Sequence, residues 1–232
     1  MSRKICIGDI HGCVATFKAL LEQLHFTKED ALYLLGDYID RGPDSKGVID
    51  YIQELQEQQY QVVALRGNHE QMLINDHTAE TKWRWHDMGD EALLKSFGLK
   101  NLKLLPMSYI DFCNTLPFYH IDDTFIAVHA GVNFIHENPL ENTEELMWIR
   151  NWYQNINYEW LQNKIIIHGH TPLTKYEIEA QFQDLAKTQV LNIDCGSFMS
   201  QQKETGLGHL CAFDVTNQKL YFQENIDENC KY

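Results

Sequence analysis

Basic residues are scarce in this sequence. Its 232 residues hold 19 Lys and Arg against 33 Asp and Glu, a formal charge of −14. Tight binding to bare nucleic acid needs a Lys/Arg footprint for counterion release, so no nucleic-acid partner is expected. Long apolar runs are missing as well. None approaches the ~18 residues that span a bilayer, and the opening stretch from Met1 to Asp9 lacks the apolar segment of a signal peptide. These absences point to a soluble, cytoplasmic protein with no membrane partner. With only 5 prolines, 44% hydrophobic and 22% charged content, the chain is neither disordered nor low-complexity. The six cysteines (Cys6, Cys13, Cys113, Cys195, Cys211 and Cys230) form no CxxC and no clustered spacing, so they read as reduced thiols, mostly in the core. A chain of this length buries roughly 70–75% of its unfolded surface, enough for a core without disulfide or metal staples. One α/β domain over residues 1–232 is expected.

What is present is a repeated strand–turn–helix pattern. Lys4–Asp9, Ala31–Asp37 and Gln61–Gly67 are short apolar runs that read as buried strands. Between them Val14, Phe17, Leu20, Leu21 and Leu24 keep helical spacing. Val48, Ile49, Ile52 and Leu55 do the same after the start signal Pro43-Asp44-Ser45. Such a series implies parallel strands with right-handed crossovers. Residues 71–115 are expected to be helical. Further strands follow at Phe125–His129, Ile165–His168, Val190–Ile193, His209–Val215 and Lys219–Gln223, the last two as an antiparallel hairpin. The expectation is two packed sheets with helices outside.

Each strand ends in a polar cluster that a structural role alone does not require. These are Gly8-Asp9-Ile10-His11-Gly12, Gly36-Asp37-Tyr38-Ile39-Asp40-Arg41-Gly42, Gly67-Asn68-His69-Glu70, His129-Ala130-Gly131 and His168-Gly169-His170-Thr171. The carboxyl ends of strands line the ligand crevice of open α/β sheets, so all five can converge. Asp and His with a neutral Asn suit divalent Mn, Fe or Zn rather than Ca or a thiolate site. So many ligands fit two ions sharing a carboxylate, an arrangement known for in-line displacement at phosphorus. Two divalent ions against Asp9 and Asp37 leave a positive site in an acidic protein, before Arg41 and Arg150 are counted. His168 and His170 share one face if the strand runs through them, and spacing does not choose between them.

These clusters resemble the phosphoprotein phosphatase group of the calcineurin-like metallophosphoesterases, and most resemble bacterial and phage serine/threonine phosphatases. Residues 85–98, Leu146–Arg150 and Asn192–Gly196 look like segments of that group too, so the likeness covers residues 4 to 215. The resemblance implies that Asp9, His11 and Asp37 hold one metal, while Asp37, Asn68, His129 and His170 hold the second. The ions would be Mn²⁺, with Fe or Zn as alternatives, bridged by the hydroxide that attacks phosphorus. It implies further that His69 is the general acid, oriented by Asp40, and that Arg41 and Arg150 clamp the phosphate, for which a planar guanidinium is suited. The position directly before Thr171 is the ligand in that group, which selects His170 and leaves His168 a packed residue. Met88, Asp90 and Cys195 depart from the group's pattern, and Trp83 with Trp85 read as core or cap residues, with a groove for a peptide or base as the alternative.

The leading expectation is therefore a phosphomonoester hydrolase acting on phosphorylated serine and threonine in proteins, or on small phosphoesters. A dinucleoside polyphosphate hydrolase of the same fold is the alternative. Two features favour the first: the chain carries GNHE and GDYIDRG where the dinucleotide branch differs, and few basic residues beyond Arg41 and Arg150 lie near the motifs.

Overall fold

The computed structural model describes residues 2–78, 91–228 and 230. In the first half, β1 (Lys4–Ile7), β2 (Ala31–Leu34) and β3 (Gln61–Ala64) alternate with α1 (Val14–Gln23), α2 (Ser45–Glu57) and α3 (Asn68–His77). Next come α4 (Glu91–Ser96), α5 (Met107–Thr115), β4 (Tyr119–Ile121), β5 (Phe125–Val128), α6 (Thr143–Trp148) and α7 (Tyr158–Leu161). The chain then adds β6 (Ile165–His168), α8 (Lys175–Gln183), α9 (Leu185–Thr188), β7 (Val190–Asn192), β8 (His209–Asp214) and β9 (Lys219–Glu224). Helix α2 starts where the sequence signal places it, because the Asp44 side chain accepts the Gly47 N–H at 2.8 Å.

The strands form two mixed sheets, ordered β3-β2-β1-β8-β9 and β4-β5-β6-β7. Strands β1, β2 and β3 are parallel, as are β5, β6 and β7, whereas β8, β9 and β4 pair antiparallel. Strand alternation sorts the apolar residues into layers. Ile5, Ile7, Leu32 and Leu34 face α1 and α2, packing on Phe17, Leu20, Val48 and Ile52. Their neighbours Cys6 and Tyr33 point the other way and meet Phe125, Ala127 and Ile167 of the second sheet. Ile126, Val128 and Ile166 face outward onto Leu146, Trp152 and Leu161. The result is helix, sheet, sheet, helix. Strands buried on both faces read as continuous apolar runs, which is why they stand out in the sequence. The edge strand β4 does not stand out, since Tyr119 and Ile121 are exposed.

One ion pair staples the start of β1 to the loop before β2. Arg3 Nε and Nη2 donate to the Asp30 carboxylate at 2.9 and 2.7 Å, and Arg3 Nη1 donates to Leu24 O at 2.9 Å. The Arg3 hydrogen bonds hold the Asp30 carboxyl below its ordinary value. A carboxyl lowered by folding stabilises the fold above its unfolded pKa and loses that contribution as pH falls through its folded value. Asp30→Asn should cost about 1–2 kcal/mol at pH 7, discounted for partial exposure. Urea titrations at stepped pH should show the gap to wild type closing below about pH 4. A gap that stays constant into strong acid would rule out this pair as its source.

Candidate metal centre

The five clusters meet at the carboxyl ends of the strands, with Asp37 in the middle. The turn after β2 is tight: Gly36 has φ +106, and a Cβ there would lie 2.6 Å from the Gly67 nitrogen. Several non-glycine residues of the site share left-handed backbone, namely His11, Asp37, Asp40, Arg41 and His170. Such backbone costs energy and persists only where the surroundings enforce it. Glu70 does much of the enforcing. Fully buried, its carboxylate accepts the N–H groups of Asp37 (2.9 Å), Tyr38 (2.8 Å) and Gly67 (2.9 Å). The Asp37 carbonyl in turn accepts the N–H groups of Ile10 and His11, joining the first two clusters.

Two groups of mutually close ligand atoms form, His11–Asp37–His69 and Asp37–His129–His170, all buried and sharing Asp37. Asp37 Oδ2 lies 3.6 Å from His11 Nε2, 3.5 Å from His129 Nε2 and 3.9 Å from His69 Nε2. Asn68 Oδ1 sits 2.9 Å from His129 Nε2 and 2.8 Å from His170 Nδ1. Asp9 is buried beside them, outside both trios, and its carboxylate accepts the His170 backbone N–H at 3.1–3.2 Å. His170 Nε2 is buried without a hydrogen-bond partner.

Protonation makes this arrangement informative. His11 Nδ1 faces the Ile39 carbonyl at 2.9 Å, and His129 Nδ1 faces the Leu35 carbonyl at 2.9 Å. A carbonyl only accepts, so each Nδ1 carries the proton and each Nε2 offers a lone pair. Burial and neighbouring His69 push His11 down to about 3, and burial pushes His170 down to about 2. His129 is lowered in the same way. The imidazoles are neutral at pH 7, and lone pairs of His11 and His129 point at a carboxylate oxygen. Asp37 is held low and so ionised at pH 7: burial works to raise it, but in acid the protonating histidines around it, His129, His69 and His11, outweigh burial. Acceptors converging on an ionised carboxylate repel one another unless cations lie between them. The donor set is imidazole nitrogen with carboxylate and amide oxygen, which fits two divalent transition ions.

The site holds more buried carboxyl groups than the motifs suggest. Asp194 is buried in the same place and is pushed up to about 7 by burial, as is Glu70. Asp9 is raised by burial and by Asp194 and Asp37. Sequence reasoning assigned neither Glu70 nor Asp194 a role; the only signal was their place within or beside a motif.

At the rim, the Arg41 guanidinium lies 4.7 Å over the Phe198 ring, and Arg150 Nη1 donates to Thr171 Oγ1 at 2.8 Å. His69 Nδ1 is 2.8 Å from Asp40 Oδ2, which aims Nε2 toward Asp37. His168 turns away: Tyr153 Oη donates to its Nε2 at 2.7 Å, and its Nδ1 is 3.0 Å from Gly169 O. Gly169 lets the chain pass Asp9, whose carboxylate a Cβ would strike. Trp83, Trp85, Met88 and Asp90 lie outside the described residues. Buried Cys195 is pushed up to about 12 by burial, an inert thiol.

Residues 2–195 match the sequence profile of the calcineurin-like phosphoesterases. The chain belongs to that family. Among its curated relatives, the symmetrical bis(5'-nucleosyl)-tetraphosphatase of Nitrosospira multiformis is 28% identical over 182 residues, covering 72% of this chain and 60% of that protein. The enzyme of the same name from Wigglesworthia glossinidia brevipalpis is 35% identical over 129 residues, covering 54% and 43%. This chain thus spans between 43% and 60% of the length of these two relatives. A protein serine/threonine phosphatase from Saccharomyces cerevisiae shares the fold, with a TM-score of 0.68 at 13% identity over 98% of this chain and 81% of that one.

Proposed function

We propose that residues 1–232 form one catalytic unit, a two-metal phosphoesterase that hydrolyses dinucleoside polyphosphates. The observation that carries the chemistry is the convergence of neutral imidazoles on the shared carboxylate of Asp37. Two divalent ions held there by His11, Asp37, Asn68, His129 and His170, with Asp9 close by, would activate water and neutralise phosphoryl charge. His69 supplies the proton for the leaving oxygen. Burial works against its protonated form, but Asp37 and Asp40 overcome it and raise the imidazole above its ordinary value. Asp40 holds the ring by Nδ1 and leaves Nε2 to face the reacting group. Arg41 and Arg150 grip the phosphoryl oxygens.

The choice of substrate reverses the leading expectation from sequence. GNHE, GDYIDRG and the small number of basic residues favoured a phosphoprotein. Similarity over 182 residues to a protein named for tetraphosphate cleavage outweighs these short differences. The structure offers room for a nucleoside as well. A pocket of about 200 Å³ is lined by Arg150, Thr171, Trp152, Tyr153, His168 and Asn192 among others. The exposed Tyr153 ring next to a phosphate-gripping arginine suits a base stacked near its phosphate chain.

Steady-state kinetics under one Mn²⁺ condition test this directly. Diadenosine tetraphosphate should exceed a phosphoserine peptide in kcat/KM by at least tenfold, about 1.4 kcal/mol of transition-state discrimination. The opposite preference would return the protein-phosphatase reading.

A further inference from the structure

Cys13 and Cys230, separated by 217 positions, lie side by side with their Sγ atoms 3.8 Å apart, and both are buried. Asn225 Nδ2 donates to both sulfurs, at 3.3 and 3.5 Å, and to the Ser197 carbonyl at 2.5 Å. Asp227 accepts the N–H groups of Ala15 and Thr16 at 3.0 and 2.8 Å, supplying to α1 the cap that Cys13 cannot give. Phe198 packs against both cysteines and meets the His11 ring edge-on at 5.0 Å. The segment after β9 is therefore strapped onto the loop that carries Asp9 and His11, and the two sulfurs sit where strap and loop meet. No other two thiols hydrogen-bond each other among the described residues, though Cys6, Cys195 and Cys211 share one core cluster.

We propose that this pair is an oxidation site at which a peroxide forms a Cys13–Cys230 disulfide, locking the strap to the metal-binding loop. Forming the bond brings the sulfurs from 3.8 Å to about 2.05 Å. Hydrogen bonds from Cys13 and Asn225 lower the Cys230 thiol below its ordinary value, which favours it as the first sulfur to react. Its thiolate attacks peroxide, the O–O bond breaks, and with one proton taken up the products are sulfenic acid and water. Cys13 sulfur then attacks the sulfenic sulfur. The S–S bond forms as the S–O bond breaks, and hydroxide leaves with the Cys13 proton as a second water. Each sulfur gives one electron, and the peroxide takes both.

The full chain treated with hydrogen peroxide, then alkylated and mapped without reduction, gives the readout independently of metal loading and of substrate. Two of the six thiols should be lost. One cross-linked peptide pair joining Cys13 to Cys230 should appear, lighter by two hydrogens and reversed by dithiothreitol. The oxidised protein should melt higher by roughly 5 °C, because the link closes a long loop. Cys230→Ser and, separately, Cys13→Ala should each abolish the cross-link and the shift. Overoxidation of Cys230 without a cross-link, or a cross-link surviving in either variant, would overturn the proposal. The metal-centre reading would stand in that case, since none of these measurements depends on it.

Discussion

Stripping divalent ions with a chelator should abolish phosphoester hydrolysis, and adding Mn²⁺ should restore it. The expectation rests on the polarity of the centre rather than on motif matching. Lone pairs on His11 and His129 face Asp37, while Asp9, Glu70 and Asp194 crowd the same buried volume. Such a cluster has no use for itself. Asp37→Asn removes the one charge common to both trios, so metal content should fall for both ions. Activity should drop by at least ~10³, matching the several kcal/mol of charge stabilisation two metals supply. Elemental analysis beside turnover separates this from misfolding, provided circular dichroism shows the fold intact. Full activity in metal-stripped protein would end the reading. Because burial keeps His11 and His170 neutral far below the usual imidazole range, metal retention should persist at pH 5.5.

His69→Asn should reduce kcat on esters with poor leaving groups by about 10²–10⁴, the usual worth of a general acid. An aryl ester, whose leaving oxygen needs little protonation, should lose less. His69 also lies in the first trio, 3.9 Å from Asp37 Oδ2, so metal analysis must accompany the kinetics. Retained metal with a leaving-group-dependent loss marks proton donation. Loss of one ion, with equal damage on both esters, would instead make His69 a ligand. Asp40→Asn is the companion test. The Nδ1 contact at 2.8 Å raises the imidazole, so its loss should move the acidic form to lower pH. The basic limb of the rate profile should then shift toward acid.

Strand β5 was legible because burial on both faces leaves Phe125–Val128 apolar at every position. Strand β4 was not, since Tyr119-His120-Ile121 lies at an edge and buries little. The expected helical stretch 71–115 contains α4 and α5 with turns between them, and residues 79–90 fall outside the described part. The ambiguity between His168 and His170 has a physical source. Alternation holds only while the strand continues, yet β6 ends at His168 and His170 has φ 73, so the two rings diverge. Glu70 went unassigned because its work is to hold three backbone N–H groups brought together by folding, which no spacing rule records. Substrate choice was the least legible property. The proposed nucleoside pocket is lined by residues such as Tyr153 that lie in none of the five clusters.

The place of β1 in its sheet has a consequence for how the molecule is made. Its parallel neighbour β2 follows within about thirty residues, but its other neighbour, β8, pairs Ile5 with Asp214. At ribosomal rates of about 5–20 residues per second, that edge stays open for roughly 10–40 s after β1 emerges. During that interval a largely apolar strand offers unpaired N–H and C=O groups to any passing chain. The nascent protein should therefore need chaperone cover until β8 is made, and slow-translating variants should partition further into aggregates. The two ends of the sequence close the sheet and cap α1 together, so the metal-binding turn sets late, after the scaffold beneath it has formed.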